Sequence, residues 1–128
     1  MVTTGKKILL AEDNDINRMI AAIVLKSNGY DITEVLDGKE AVAQLTRQTF
    51  DLVLMDMQMP FMDGLEATRI IRKHINKKVP IIALTANEIK QEKDRCFQAG
   101  MNDFLMKPFD EKDLVSIISK WLLKPTLS

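Results

Sequence analysis

The sequence predicts an α/β fold in which helices cover both faces of a parallel sheet. Short apolar runs alternate five times with longer amphipathic stretches, the order expected of successive βα units. The inner runs carry no polar interruption, as in strands buried on both faces. The chain is 128 residues long and 46% apolar, which suits one domain with one continuous hydrophobic interior.

Lys7–Ala11 holds Ile8, Leu9 and Leu10 together and reads as a central strand. Ile16, Met19, Ile20, Ile23 and Val24 then recur at helical spacing. Asp31–Leu36 is mixed in character and reads as an edge strand. Ala41, Val42 and Leu45 mark a second helix after Gly38. Asp51–Met55 is the next buried strand, and Leu65, Thr68 and Ile71 mark a helix after the turn at Asp63-Gly64. Pro80–Leu84 is the fourth strand. Glu88–Phe97 offers only Ile89, Cys96 and Phe97 for packing, which predicts a weakly held helix that shifts easily. Asp103–Met106 is short and suits the opposite edge. Leu114, Ile117, Ile118, Trp121 and Leu122 define the last helix. The expected organisation is one domain over residues 1–124 and a short tail over 125–128, without internal repeats.

Eighteen basic residues balance eighteen acidic ones, so no overall field draws the chain to nucleic acid or to an anionic membrane. The apolar runs are far shorter than the roughly 20 residues that span a bilayer, and Met1–Lys7 lacks a signal-peptide core. The single Cys96 forms no intrachain disulfide and no zinc cluster. A cytoplasmic domain with no direct nucleic-acid or membrane contact is expected.

In an open parallel sheet, side chains at the carboxyl ends of the strands converge on one crevice. Here those positions are Glu12 and Asp13, Asp56, Thr85 and Lys107, so three acids, a hydroxyl and an amine are expected to share a pocket. Clustered carboxylates repel one another unless a proton or cation intervenes, and all-oxygen ligation selects a hard ion such as Mg²⁺. With a metal partly neutralising them, one carboxylate can act as a nucleophile towards phosphorus. Lys107 and Thr85 would then meet the phosphoryl oxygens. Other polar positions have plainer roles. Asn14 or Asp15 caps the first helix. His74 lies in a basic stretch, Arg72–Lys78, read as a solvated helix end, and takes no donor or metal role. Met55, Met57, Met59 and Met62 pack around Asp56, and Cys96 is a small packing residue.

Five ordered blocks carry a resemblance: Glu12-Asp13, Asp56, Met59-Pro60 with Asp63-Gly64, Thr85-Ala86, and Lys107-Pro108. Together they resemble the receiver domain of response regulators in two-component regulatory systems, over essentially the whole chain. The resemblance implies a flavodoxin-like (βα)5 fold, a five-stranded parallel sheet of order 2-1-3-4-5 with helices on both faces. It implies that Asp56 is the phosphoacceptor, taking a phosphoryl group from a phosphohistidine. Asp13, Asp56 and the backbone carbonyl of Gln58 become the Mg²⁺ ligands, with Glu12 acting through water. Lys107 pairs with the phosphoryl group, Thr85 moves to meet it, and Phe104 turns inward as Thr85 moves. The Lys107-Pro108 bond is expected to be cis.

Met55–Gly64 and Asn14-Asp15-Ile16-Asn17-Arg18 particularly resemble receivers of hybrid sensor histidine kinases and multistep phosphorelays. A histidine kinase or histidine-phosphotransfer protein is then the partner, docking near Ile16, Asn17 and Ile20. The Glu88–Phe97 helix, the Phe104 strand and the last helix form the output face and the surface of a weak dimer. Gln58 and Asn87, two residues beyond Asp56 and Thr85, are neutral amides that do not assist attacking water, which implies a phosphoryl group of moderate persistence. The domain assists its own phosphorylation and dephosphorylation without being an enzyme on a separate substrate. Its output must act through another chain or a parent protein.

Three alternative functions fit the sequence less well. A phosphatase of the haloacid-dehalogenase type needs an acid two residues past its nucleophile, where this chain has Gln58. A flavodoxin-like cofactor carrier needs a phosphate-binding loop, and Ala11-Glu12-Asp13-Asn14-Asp15 repels phosphate without a metal. A phosphorylation-independent interaction module suits a broken acid cluster, and this one is intact.

Overall fold

A computed structural model describes residues 3–86 and 90–122. The sheet comprises β1 (Lys7–Ala11), β2 (Asp31–Val35), β3 (Leu52–Asp56), β4 (Ile81–Thr85) and β5 (Asp103–Met106). All pairings are parallel, and the order is β2-β1-β3-β4-β5. The helices are α1 (Asp15–Ser27), α2 (Gly38–Arg47), α3 (Gly64–Ile70), α4 (Lys90–Ala99) and α5 (Glu111–Leu122). A π-helical turn, Ile71–Ile75, continues α3. Among the described residues no helix is long and apolar enough to cross a membrane. The tail at 125–128 lies outside the described residues, as do Asn87, Glu88 and Ile89.

Side-chain alternation divides the interior into two layers. Leu9, Ala11, Val53, Met55, Ile81 and Ala83 face one way, meeting Ala41, Leu45, Ala67, Ile71 and Cys96 from α2, α3 and its π-helical continuation, and α4. Ile8, Leu10, Leu52, Leu54, Ile82 and Leu84 face the other way, against Ala21, Ala22 and Leu25 of α1 and Leu114 and Ile118 of α5. The central strands β1, β3 and β4 are therefore buried on both faces, as their unbroken apolar runs imply.

Two strands begin one residue later than the apolar runs. Pro80 has no N–H to donate to a ladder. Asp51 instead turns its carboxylate to accept from the Lys7 N–H at 2.8 Å. The shift carries Asp56 and Thr85 into the last position of β3 and β4. β2 stops at Val35, and Leu36 is exposed.

The α1 stripe that marks the helix is not the face it buries. Ala21, Ala22 and Leu25 pack on the sheet and Val24 lies half-buried beside them, while Ile16, Met19, Ile20 and Ile23 are exposed.

The basic stretch expected to be solvated is anchored at its first residue. Arg72 donates from Nε to the Gly100 carbonyl (2.8 Å) and from Nη2 to Asn102 Oδ1 (2.7 Å), tying the end of α3 to the loop before β5. Burial lowers its pKa. His74 is exposed, as that reading required.

Candidate functional site

The carboxyl ends of the strands open onto a cleft of about 520 Å³ lined by Asp13, Asn17, Asp56, Gln58, Glu92 and Lys107, among others. The local chain explains how each acid is held. Glu12 directly follows β1, where its N–H donates to the Val35 carbonyl at 3.1 Å. Asn14 caps α1, accepting from the Asn17 N–H at 2.9 Å, and its own N–H donates to Glu12 Oε2 at 3.2 Å. Asp56 is fixed by the Gln58 N–H, which donates to Oδ1 at 3.2 Å. Gly64 begins α3 directly against this strand end; a Cβ there would lie 2.2 Å from the Asp56 carbonyl oxygen, so only glycine fits.

Lys107 reaches across from the segment after β5. Its Nζ lies 2.7 Å from Glu12 Oε1 and 3.1 Å from Asp56 Oδ1. Glu12 is 1% exposed and Asp56 4%, whereas Asp13 is open to solvent. One oxygen from each of the three acids lies within 4.8 Å of the others, a hard donor set that suits a divalent cation such as Mg²⁺.

Burial, reinforced by hydrogen bonding to Glu12 and by its charge, pushes Asp56 up to about 8 against the pull of Lys107. Burial also works to raise Glu12, but its hydrogen bonds to Asp56 and Lys107 and the lysine's charge hold it below the ordinary value. Burial works to lower Lys107, yet the two carboxylates raise it, so it remains an ammonium. Two acids and one cation are thus held ready for a second positive charge.

Thr85 is placed differently from the expected shared pocket. Its side chain is buried at the end of β4, with Oγ1 3.5 Å from Glu92 Oε1, and the neighbouring Ala86 lines the cleft instead. The Lys107 N–H donates to the Thr85 carbonyl at 2.7 Å, so the two residues share one backbone scaffold. The bond between Lys107 and Pro108 is cis. Phe104 is half-buried; its ring meets Phe97 edge-on at 6.4 Å, and Lys93 Nζ sits 4.4 Å from its centroid. Asn87 lies outside the described residues.

Two participants escaped the sequence reading. Glu92, one of several charges on a polar helix, is the one whose phase brings it to the cleft. Arg18 holds the Glu12 carbonyl, and only its place in the Asn14–Arg18 segment hinted at a role.

The family model for the response regulator receiver domain matches residues 8–119. The chain belongs to the response-regulator receiver domain family. The receiver is similar to part of a probable histidine kinase 5 of Oryza sativa subsp. japonica, 38% identical over 94% of this chain and 12% of that protein. It is 39% identical to part of the sensor protein GacS of Pseudomonas syringae, over 90% of this chain and 13% of that one. The receiver thus spans a small fraction of the length of these curated relatives. Among solved structures it resembles the receiver domain of a Pseudomonas aeruginosa sensor histidine kinase, at 45% identity and TM-score 0.87, covering 94% of this chain and all of that one. That structure has a magnesium ion coordinated in its active-site cleft. A chemotaxis response regulator of Vibrio cholerae matches at 28% identity and TM-score 0.87, over 95% of this chain and all of that one. The receiver's role accordingly lies in two-component phosphorelay signalling, of the type carried by hybrid histidine kinases.

Proposed function

We propose that Asp56 accepts a phosphoryl group from a phosphohistidine on a partner protein. The observation that carries this reading is Lys107 Nζ bridging Glu12 and Asp56 at the floor of an acidic cleft. A carboxylate oxygen of Asp56 attacks phosphorus while the donor's P–N bond breaks and its electron pair returns to the imidazole. Phosphoryl transfer asks mainly for alignment and charge neutralisation, so no separate base is needed. Asp13, Asp56 and the backbone carbonyl of Gln58 would hold Mg²⁺, and Glu12 would reach it through water. When bound, the ion neutralises charge on the carboxylates and on the transferred group. Lys107 then trades part of its contact with Asp56 for the phosphoryl oxygens.

The phosphorylated Asp56 gains up to about two negative charges. The Thr85 hydroxyl moves towards them from its place beside Glu92, and Phe104 follows inward, leaving Lys93 and Phe97. That changes the face made by α4, β5 and α5, which serves as the output surface and as the contact of a weak dimer. The domain assists its own phosphorylation and dephosphorylation, while Gln58 and Asn87, as neutral amides, give attacking water no assistance. A phosphoryl half-life of only seconds would contradict that role for the two amides.

The donor is a histidine kinase or histidine-phosphotransfer protein docking at the first turns of α1, where Ile16 and Ile20 are exposed beside Asn17 at the cleft. Transfer of radiolabel from a phosphorylated histidine-phosphotransfer protein tests the reading. Label that hydroxylamine releases, as it does from an acyl phosphate, and that is absent from Asp56→Asn is the expected result. Equal labelling of Asp56→Asn overturns it, and unchanged transfer to Ile20→Asp overturns the docking surface alone.

A further inference from the structure

Arg18 is a charged side chain that the proposed reaction leaves unused, yet only 16% of its side chain is exposed. Its Nη1 donates to the main-chain carbonyl of Glu12 at 2.9 Å, and its Nη2 pairs with Asp15 Oδ1 at 2.6 Å. Its Nε lies 3.5 Å from Glu34 Oε1 on β2. These contacts join the end of β1, the first turn of α1 and the edge strand. Ordering a side chain this long costs rotamer entropy, which the three contacts must offset.

The turn they hold is under electrostatic load. Glu12 and Asp13 bring their carboxylates within 4.8 Å of each other beside Asp56, and two like charges on adjacent residues at that distance push the turn outward. Asn14 secures one side, through its N–H to the Glu12 carboxylate and its cap on Asn17. Arg18 secures the other at the Glu12 carbonyl. Because Asp15 and Glu34 already answer its charge, Arg18 acts on the acids as a brace and not as their counter-ion.

We propose that Arg18 is a positioning residue for the metal-binding acids, holding Glu12 and Asp13 in place before the ion arrives. This rests on the reading that Mg²⁺ binds at Asp13 and Asp56. Partners that orient metal ligands typically change affinity about tenfold when removed.

The test titrates Mg²⁺ alone into wild type, Arg18→Met, Arg18→Lys and Asp13→Asn by calorimetry, with thermal melts to establish that each variant is folded. Arg18→Met is expected to bind about tenfold more weakly and Arg18→Lys to fall between it and wild type. Phosphorylation by acetyl phosphate should fall by the same factor at limiting Mg²⁺ and recover at saturating Mg²⁺, a split that loss of stability alone does not produce. Equal affinity in wild type and a folded Arg18→Met overturns the proposal while leaving the metal reading intact. If Arg18→Met fails to fold, equal affinity in Arg18→Lys overturns it. A wild-type protein that takes no Mg²⁺ overturns the metal reading and this proposal with it.

Discussion

Lys107 Nζ stands 2.7 Å from Glu12 Oε1, so the only cation at the floor of the cleft among the described lining residues is committed first to the most buried acid. Removing one partner of a buried pair strands the other charge. Lys107→Ala should therefore lower the stability of the metal-free domain by about 3 kcal/mol. Mg²⁺ should restore part of that loss, since it supplies the missing positive charge. Urea unfolding with and without Mg²⁺ checks both statements, and an unchanged midpoint in metal-free Lys107→Ala contradicts the first.

The Asp56 carboxyl gives the metal-free domain a pH dependence of definite sign. Its folded value, about 8, lies above the ordinary carboxylate value. Between about pH 4 and pH 8 the folded state therefore retains a proton that the unfolded chain has lost. Stability from this group is full below about pH 4 and declines as the pH rises to about 8, at up to about 1.4 kcal/mol per unit. Asp56→Asn should flatten that decline and exceed wild type in stability at pH 8. Because Mg²⁺ displaces the proton, its affinity should rise over the same interval. Unfolding midpoints at several pH values, with no metal present, test the slope.

Gly64 sets how closely α3 approaches the acceptor strand. With a Cβ 2.2 Å from the Asp56 carbonyl oxygen, Gly64→Ala must push the helix or the strand end away. A cost of about 3 kcal/mol is expected. Mg²⁺ affinity should fall too, because the Asp56 backbone moves. Denaturant unfolding and metal titration on the one variant measure both.

Phe61 sits at φ 68°, and the residue is 82% exposed. It is the one non-glycine residue with positive φ among the described residues, in a tight turn closed by the Met62 N–H donating to the Pro60 carbonyl at 2.7 Å. A left-handed aromatic is strained by about 1 kcal/mol or more, and a residue so exposed recovers little by packing. Phe61→Gly should thus raise stability by about 1 kcal/mol, whereas Phe61→Ala should not. Paired thermal melts distinguish the two.

Much of the site was legible because strand ends are. Asp56, Thr85 and Lys107 follow apolar runs directly, and a parallel sheet brings such positions to one edge of the structure. Glu12 and Asp13 were legible for the same reason. What escaped depends on helix phase and on partners distant in sequence. Ile16, Met19, Ile20 and Ile23 gave α1 its period, but α1 lies close to the sheet on the small residues Ala21 and Ala22, leaving the larger ones outside. Arg72 looked solvated because its acceptors at Gly100 and Asn102 lie about thirty residues on, where no local pattern records them. Thr85 ends the right strand, yet its hydroxyl lies 3.5 Å from Glu92 Oε1 on α4, a neighbour that sequence spacing does not encode.

The most direct test of the central claim is the intact mass of the domain after incubation with acetyl phosphate and Mg²⁺, beside Asp56→Asn and a metal-free sample. Gain of one phosphoryl group by wild type, lost in both controls, is the predicted result. A phosphoryl adduct of equal yield on Asp56→Asn would contradict the assignment of Asp56 as the acceptor.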